Sequence, residues 1–119
     1  MTEPQQISEL GEYAFPDLDR VIHERARLGI LTALHTHERG LLFNQLKACC
    51  ELSDGNLSRH LTVLKEANLI EIWKGSKEKK SQTLCVLSEN GRGSLATYIQ
   101  ALQQIITKIN PPEKVVPDS

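Results

Sequence analysis

Leu57, Leu61 and Leu64 recur at helical spacing, and at about 100° per residue they fall on one side of the segment 54–67. The opposite side carries Gly55, Asn56, Arg59, Thr62, Val63 and Glu66, with Ser58, His60 and Lys65 on its flanks. The chemistry these side chains share is recognition of flat, hydrogen-bonding edges. A guanidinium at Arg59 can donate two parallel hydrogen bonds to O6 and N7 of a guanine. The Asn56 amide can pair with N6 and N7 of an adenine, and Thr62 and Val63 can meet a thymine methyl. Gly55 has no side chain, so the amide groups at the helix start can come close to a phosphate. Glu66 would repel a phosphate, but it falls in the last turn.

A second group lies between 74 and 80. Lys74, Lys77, Lys79 and Lys80 stand against Glu78 alone, with Ser76 among them. Lysines are flexible point charges, suited to holding phosphates rather than reading bases. The whole chain carries a net charge of −1, and its first 19 residues hold five acids (Glu3, Glu9, Glu12, Asp17, Asp19) with no Lys or Arg. Any attraction for a polyanion is therefore local. A lysine-rich loop alone is as readily a solvated loop, so its place in the chain decides. Trp73, the only tryptophan, reads as packing beneath this loop.

The elements that would position these groups follow from periodicity and capping. A first helix is predicted from about Asp19 to Thr36, with Ile22, Ala26, Leu28, Ile30, Leu31 and Leu34 as its apolar face. Gly40 ends it. Leu41, Leu42 and Phe43 make a strand fragment. A short helix runs from Asn44, its N-cap, to Cys50, turning Leu46 and Cys49 or Cys50 inward. Ser53 caps the third helix, about Asp54 to Ala67, and Asn68 sits at its C′ position. A hairpin pairs Leu69–Lys74 with Gln82–Leu87, with Ile70 and Ile72 on one side of the first strand, Leu84 and Val86 on one side of the second, and Gly75–Ser81 as the loop. Ser88 caps a last helix that reaches Ile109 and is stopped by Asn110, Pro111 and Pro112.

This order predicts a mainly α (α+β) fold, a winged helix-turn-helix with a two-stranded β-hairpin wing and a long C-terminal dimerisation helix. Residues 1–16 read as an N-terminal arm, 17–109 as the DNA-binding and dimerisation domain, and 110–119 as a flexible tail. In the last helix Leu95, Ile99, Leu102, Ile106 and Ile109 recur at alternating spacings of four and three, a seam that needs a partner. Folding back on its own domain is one solution. The favoured one is a homodimer, which presents two recognition helices about 34 Å apart and predicts a palindromic operator.

Leu52-Ser53 and the run Leu57-Ser58-Arg59-His60-Leu61-Thr62-Val63-Leu64-Lys65-Glu66-Ala67-Asn68-Leu69-Ile70 resemble the recognition helix of ArsR-like and MarR-like winged-helix regulators. Leu87-Ser88-Glu89-Asn90-Gly91-Arg92-Gly93 resembles the junction where their wing enters the final helix. Val21-Ile22-His23-Glu24-Arg25-Ala26-Arg27-Leu28-Gly29-Ile30-Leu31 is similar to the first helix of the small single-domain branch. The resemblance spans about residues 18–108. It implies a dimeric repressor or activator whose third helix enters the major groove while the wing meets the minor groove. It adds Ser58 and His60 to Asn56 and Arg59 as contacts. Metal-sensing ArsR members carry paired cysteines in or near that helix, whereas 54–67 holds none.

Rival readings are a protein-interaction module and a redox- or metal-responsive regulator using Cys49, Cys50 or Cys85. Three cysteines with one adjacent pair make a poor disulfide framework and suit a reducing compartment. The sequence has no Cys-x-x-Cys or His-x-x-x-His spacing, so neither metal nor cofactor is expected, and His35 and His37 read as a surface pair. A glycine-rich phosphate loop, GxSxG, HExxH and an acid–base cluster are all missing, which argues against an enzyme. With no signal-peptide pattern and no apolar run of about 20 residues, the expected location is the cytoplasm and no membrane is a partner. A small-molecule effector is not identifiable from the sequence; in so small a domain it would sit at the dimer interface.

Overall fold

A computed structural model describes residues 10–113. In chain order these form α1 (Arg25–Thr36), β1 (Leu41–Leu42), α2 (Phe43–Cys49), α3 (Asp54–Glu66), β2 (Ile70–Lys77), β3 (Lys80–Leu87) and α4 (Glu89–Ile109). The strands make an antiparallel sheet of order β1-β3-β2. This is the winged helix-turn-helix fold anticipated from sequence, with α2 and α3 as the helix pair and β2–β3 as the wing. The N-terminal arm and C-terminal tail expectations fall partly on 1–9 and 114–119, outside the described residues.

One core joins all the elements. Ile30, Leu31 and Leu34 of α1, Leu46 of α2, Leu57, Leu61 and Leu64 of α3, Ile70, Cys85 and Leu87 of the sheet, and Leu95 and Tyr98 of α4 are buried in a single cluster. Ile22, ahead of α1, belongs to it as well.

Several local readings need correction. Helix α1 starts at Arg25, not near Asp19. The Asp19 carboxylate accepts from the amides of Val21 (2.8 Å) and Ile22 (3.2 Å), closing a turn on itself, and Glu24 then caps the helix by accepting from the Arg27 amide at 2.8 Å. An aspartate that bonds its own backbone competes with helix formation. Asn44 is not an N-cap, because Phe43 is already helical; instead Gln45 Oε1 accepts from the Leu42 amide. The lysine-rich loop is mostly strand. Lys77 pairs directly with Lys80, leaving Glu78 and Lys79 as a two-residue turn with φ of 53° and 65°, the positive values of a type I′ turn. Leu84 and Val86 do share one side of β3, and it is the other side, with Cys85 and Leu87 opposite Ile72 and Ile70, that is buried.

The junction of α3 with α4 is tight. Asn68, at φ 62°, ends α3, and its carbonyl accepts from Ser88 Oγ (2.7 Å) and Asn90 Nδ2 (3.2 Å). Ser88 Oγ also accepts from the Gly91 amide at 2.8 Å, capping α4. A Cβ on Gly91 would overlap the Leu69 carbonyl oxygen and lie 2.9 Å from Leu87 Cδ1, so only glycine fits that crossing.

Candidate nucleic-acid interface

Helix α3 is oriented from beneath by its three leucines and from its N-terminus by Ser53, whose Oγ accepts from the Asn56 amide at 3.2 Å. Gly55, Asn56, Ser58, Arg59 and Thr62 are exposed on the opposite side and Val63 is half-buried. Arg59 Nη2 donates to Asn56 Oδ1 at 2.8 Å, so the two residues most suited to base edges already stand together. The Thr62 hydroxyl donates to the Ser58 carbonyl at 3.0 Å. Nothing lies within 4 Å of where a Gly55 Cβ would be. Glycine inside a helix costs roughly 1 kcal/mol against alanine, and no neighbour in the chain demands it here. The space it leaves is open to a partner.

His60 stands apart from this face. Its side chain is 14% exposed and packs toward α1, with Nδ1 3.4 Å from Arg27 Nη1 and 3.9 Å from Glu24 Oε2. The reading of His60 as a direct contact is corrected accordingly: on a flank of the wheel, α1 covers it. Lys47 of α2 was not foreseen. Its ammonium pairs with the Asp54 carboxylate at 2.8 Å, offsetting the one acid in the first turn of α3.

The register of the wing sorts its side chains between two faces. Paired residues share a face and successive ones alternate. Lys74 and Ser76 therefore stand on the side that carries Ile70 and Ile72, while Trp73 and Lys77 stand on the other. Thr62, Lys65, Glu66 and Asn68 of the α3 end line a groove of about 500 Å³ together with Ile72 and Lys74. Lys65 thereby joins the basic set, a placement that needs the α3–β2 packing to be seen. Lys77 faces Lys80 across the ribbon, next to Lys79 in the turn. Like charges directly opposite repel, and a polyanion between them would relieve that repulsion. Trp73 is 61% exposed and does not pack under the wing. It shares the outer face with its partner Leu84, which in turn pairs with Leu42.

Helix α4, about 31 Å long at 1.5 Å per residue, divides into two halves. Gly91, Leu95, Tyr98 and Ala101 are buried in the domain. Leu95, at 6% exposure, thus belongs to its own core and is not free for a partner, and Leu102 is half-buried against that core. Ile99, Ile106 (59%) and Ile109 (79%) remain open. Residues of the N-terminal segment lie along the distal half: Glu12 pairs with Lys108 at 3.2 Å, and the same ammonium sits 5.1 Å from the Tyr13 ring centroid. Tyr13, Phe15, Ile105 and Ile109 border one shallow groove there.

The cysteines are free thiols. Burial pushes Cys85 up to about 11, and burial together with Cys49 does the same to Cys50. Cys49 is exposed, so of the two it is Cys50 that turns partly inward. Thiols held protonated make poor nucleophiles and metal ligands. Among the described residues no group of three or more His, Cys, Asp or Glu side chains could hold a metal, and no helix is long and apolar enough to cross a membrane.

Comparison with known proteins agrees with this geometry. Residues 26–106 match the family model of a winged helix DNA-binding domain. An uncharacterized protein of Methanocaldococcus jannaschii is 30% identical over 90 residues, which cover 76% of this chain and 97% of that protein. Among solved structures, a transcriptional regulator homologue from Pyrococcus horikoshii has a TM-score of 0.71 at 23% identity, covering 77% of this chain and 90% of its own. MepR of S. aureus, solved with DNA, has a TM-score of 0.66 at 15% identity, covering 81% and 77%. A MarR family transcriptional regulator of Streptomyces coelicolor, also in complex with DNA, has a TM-score of 0.56 at 20% identity, covering 80% and 68%. At these identities the likeness to the solved structures is one of fold.

Proposed function

The chain belongs to the winged helix DNA-binding domain family, and on that premise we propose that it is a sequence-specific transcriptional regulator, a repressor acting in the cytoplasm as a homodimer on a palindromic operator in double-stranded DNA. The observation that carries this reading is the joined Asn56–Arg59 pair on the open side of α3. Gly55, Ser58, Thr62 and Val63 complete the surface that enters the major groove. Lys74, Ser76, Lys77, Lys79 and Lys80 hold the backbone from the wing, and Lys65 extends that set.

The dimer reading is supported by the distal half of α4. Ile99, Ile106 and Ile109 are open to solvent on a helix whose other half is consumed by its own core. A twofold pairing through those isoleucines and the segment beside them would bury them and place two copies of α3 side by side. No catalytic machinery enters this function: the family is one of DNA-binding domains, and the solved relatives named above are regulators rather than enzymes.

The test is selection of bound sequences from a random duplex pool, followed by gel-shift titration of the winning site across salt. A palindromic winner held by the dimer supports the reading, and an absence of enrichment at low salt defeats it. A protein-interaction module is the second reading, favoured by the exposed Trp73. Salt separates the two, because phosphate contacts weaken by ~0.9 log units in K per neutralised phosphate for each decade of salt.

A further inference from the structure

Three polar side chains tie α3 to the start of α1, and none of them lies on the face assigned to DNA. His60 Nδ1 stands 3.4 Å from Arg27 Nη1. A guanidinium only donates, so the imidazole nitrogen accepts. Glu24 Oε2 lies 3.9 Å from the same nitrogen. Both partners are themselves fixed: Glu24 accepts from the Arg27 amide at 2.8 Å as the cap of α1, and Arg27 Nε donates to the Val21 carbonyl at 2.6 Å. One residue earlier, His23 Nδ1 hydrogen-bonds the hydroxyl of Tyr98 at 2.7 Å, and Tyr98 is the buried aromatic of α4. Successive residues, His23 and Glu24, thus touch the dimer-side helix and the recognition helix.

The leucines beneath α3 bind it to the core by apolar burial, which has no directional preference. Burial resists lifting the helix away more than it resists rolling about its axis. Hydrogen bonds are directional, and the one that Arg27, itself held by Glu24 and Val21, makes to His60 attaches to one flank of α3, where a roll would stretch it first. Base reading tolerates errors of about 0.5 Å or 10–20°, whereas phosphate attraction tolerates far more.

We propose that Glu24 and Arg27, acting through His60, are positioning residues that fix the roll of α3 and so set operator discrimination without touching DNA. This rests on the DNA-binding reading of α3. Loss of the cluster therefore lowers the preference for the operator over random sequence and leaves the general hold on duplex unchanged.

The experiment measures affinity for the selected operator and for a random duplex across salt, using the full chain and the variants Glu24→Ala, Glu24→Gln, His60→Ala and Glu24→Ala with His60→Ala. Glu24→Ala and His60→Ala are each expected to reduce the operator-to-random ratio about tenfold, and the double variant to fall no further than the worse single one, as coupled partners do. Random-duplex affinity and salt slope stay at wild-type values. Glu24→Gln keeps an oxygen to accept from the Arg27 amide, so α1 stays capped and Arg27 stays placed against His60, and it discriminates as wild type does. Thermal unfolding without DNA establishes that each variant is folded at the assay temperature. Should Glu24→Ala fail to fold, Arg27→Lys replaces it, since an ammonium keeps the charge but cannot reproduce the forked bonds to Val21 and His60.

Equal losses on both duplexes, additive losses in the double variant, or full discrimination by Glu24→Ala overturns the proposal. A wild-type chain that holds no duplex at all would instead refute the DNA reading itself, and that result is distinct from variants that discriminate as well as wild type.

Discussion

Arg59 and Asn56 stand one turn apart on the open side of α3, and the Arg59 guanidinium donates to the Asn56 side-chain oxygen at 2.8 Å. Of the five donors on the guanidinium, that bond uses one. The rest remain for a base edge, and the long side chain starts from a restrained position. Restraint before binding lowers the entropy lost on binding. Arg59→Ala is expected to cost ~1–3 kcal/mol of operator affinity and to relax selectivity at one guanine, with thermal stability unchanged. Gel-shift titration against single-base variants of the operator checks it, and intact preference at every position would remove Arg59 from the interface.

The wing makes a different prediction. Lys77→Ala combined with Lys79→Ala lowers affinity for every sequence and flattens the dependence of log K on log salt by roughly 0.9 for each phosphate no longer neutralised. An unaltered slope would place the wing tip away from the duplex.

Pairing of subunits is tested where the helix is free. Ile106 is 59% exposed at the distal end of α4, so Ile106→Glu changes little within the subunit but sets a charge in the proposed seam. Sedimentation is expected to give a monomer with native thermal stability and weakened operator binding. A persisting dimer means the subunits meet elsewhere. Leu95 is unsuited to this test because its burial would confound assembly with folding.

Gly91→Ala should cost at least ~1–3 kcal/mol of stability, because a methyl there meets the Leu69 carbonyl and Leu87 Cδ1 on a crossing with no room for either to retreat. Calorimetry reads the loss directly, and an unchanged melting temperature would show that the α3–α4 junction can open at little cost.

Acid provides a further lever on stability. Desolvation tends to raise the Glu24 carboxyl, but the Arg27 and Ala26 amides and the nearby His60 and Arg27 charges outweigh it and hold the group below its ordinary value. A lowered folded pKa means that the stabilisation is complete above the unfolded pKa and is lost as pH falls through the folded one. Glu24→Gln, which cannot titrate, should show a shallower fall in melting temperature through the acid range. Parallel acid profiles for the two proteins would show that Glu24 does not contribute.

Features set by local chemistry were legible in the sequence. Ser53 and Ser88 cap the helices predicted for them, Asn68 takes the left-handed conformation at the end of α3, and the three leucines turn inward. Errors arose where tertiary packing arbitrates. Asp19 and Glu24 both offer a carboxylate to a helix start, and only the turn closed by Asp19 shows which succeeds. The alternation in β3 was legible, but which of its two sides is buried was not: the pairing of Cys85 with Ile72 decides it. His60 flanks the open side of an isolated wheel, where α1 has no place. The lysines between Gly75 and Ser81 read as loop by composition, yet backbone pairing extends through them to the final two-residue turn.

That turn gives the wing a parity. Glu78 and Lys79 are all that connect Lys77 to Lys80, so the ribbon holds no slack into which an insertion could disappear. A single residue added to β2 would send every side chain beyond it to the opposite surface. Lys74 would exchange places with Trp73, presenting an indole to the groove beside α3 and a cation to solvent. To keep its two faces, this finger can take in a single extra residue only as a bulge or a longer turn, a demand that a floppy connection would never make.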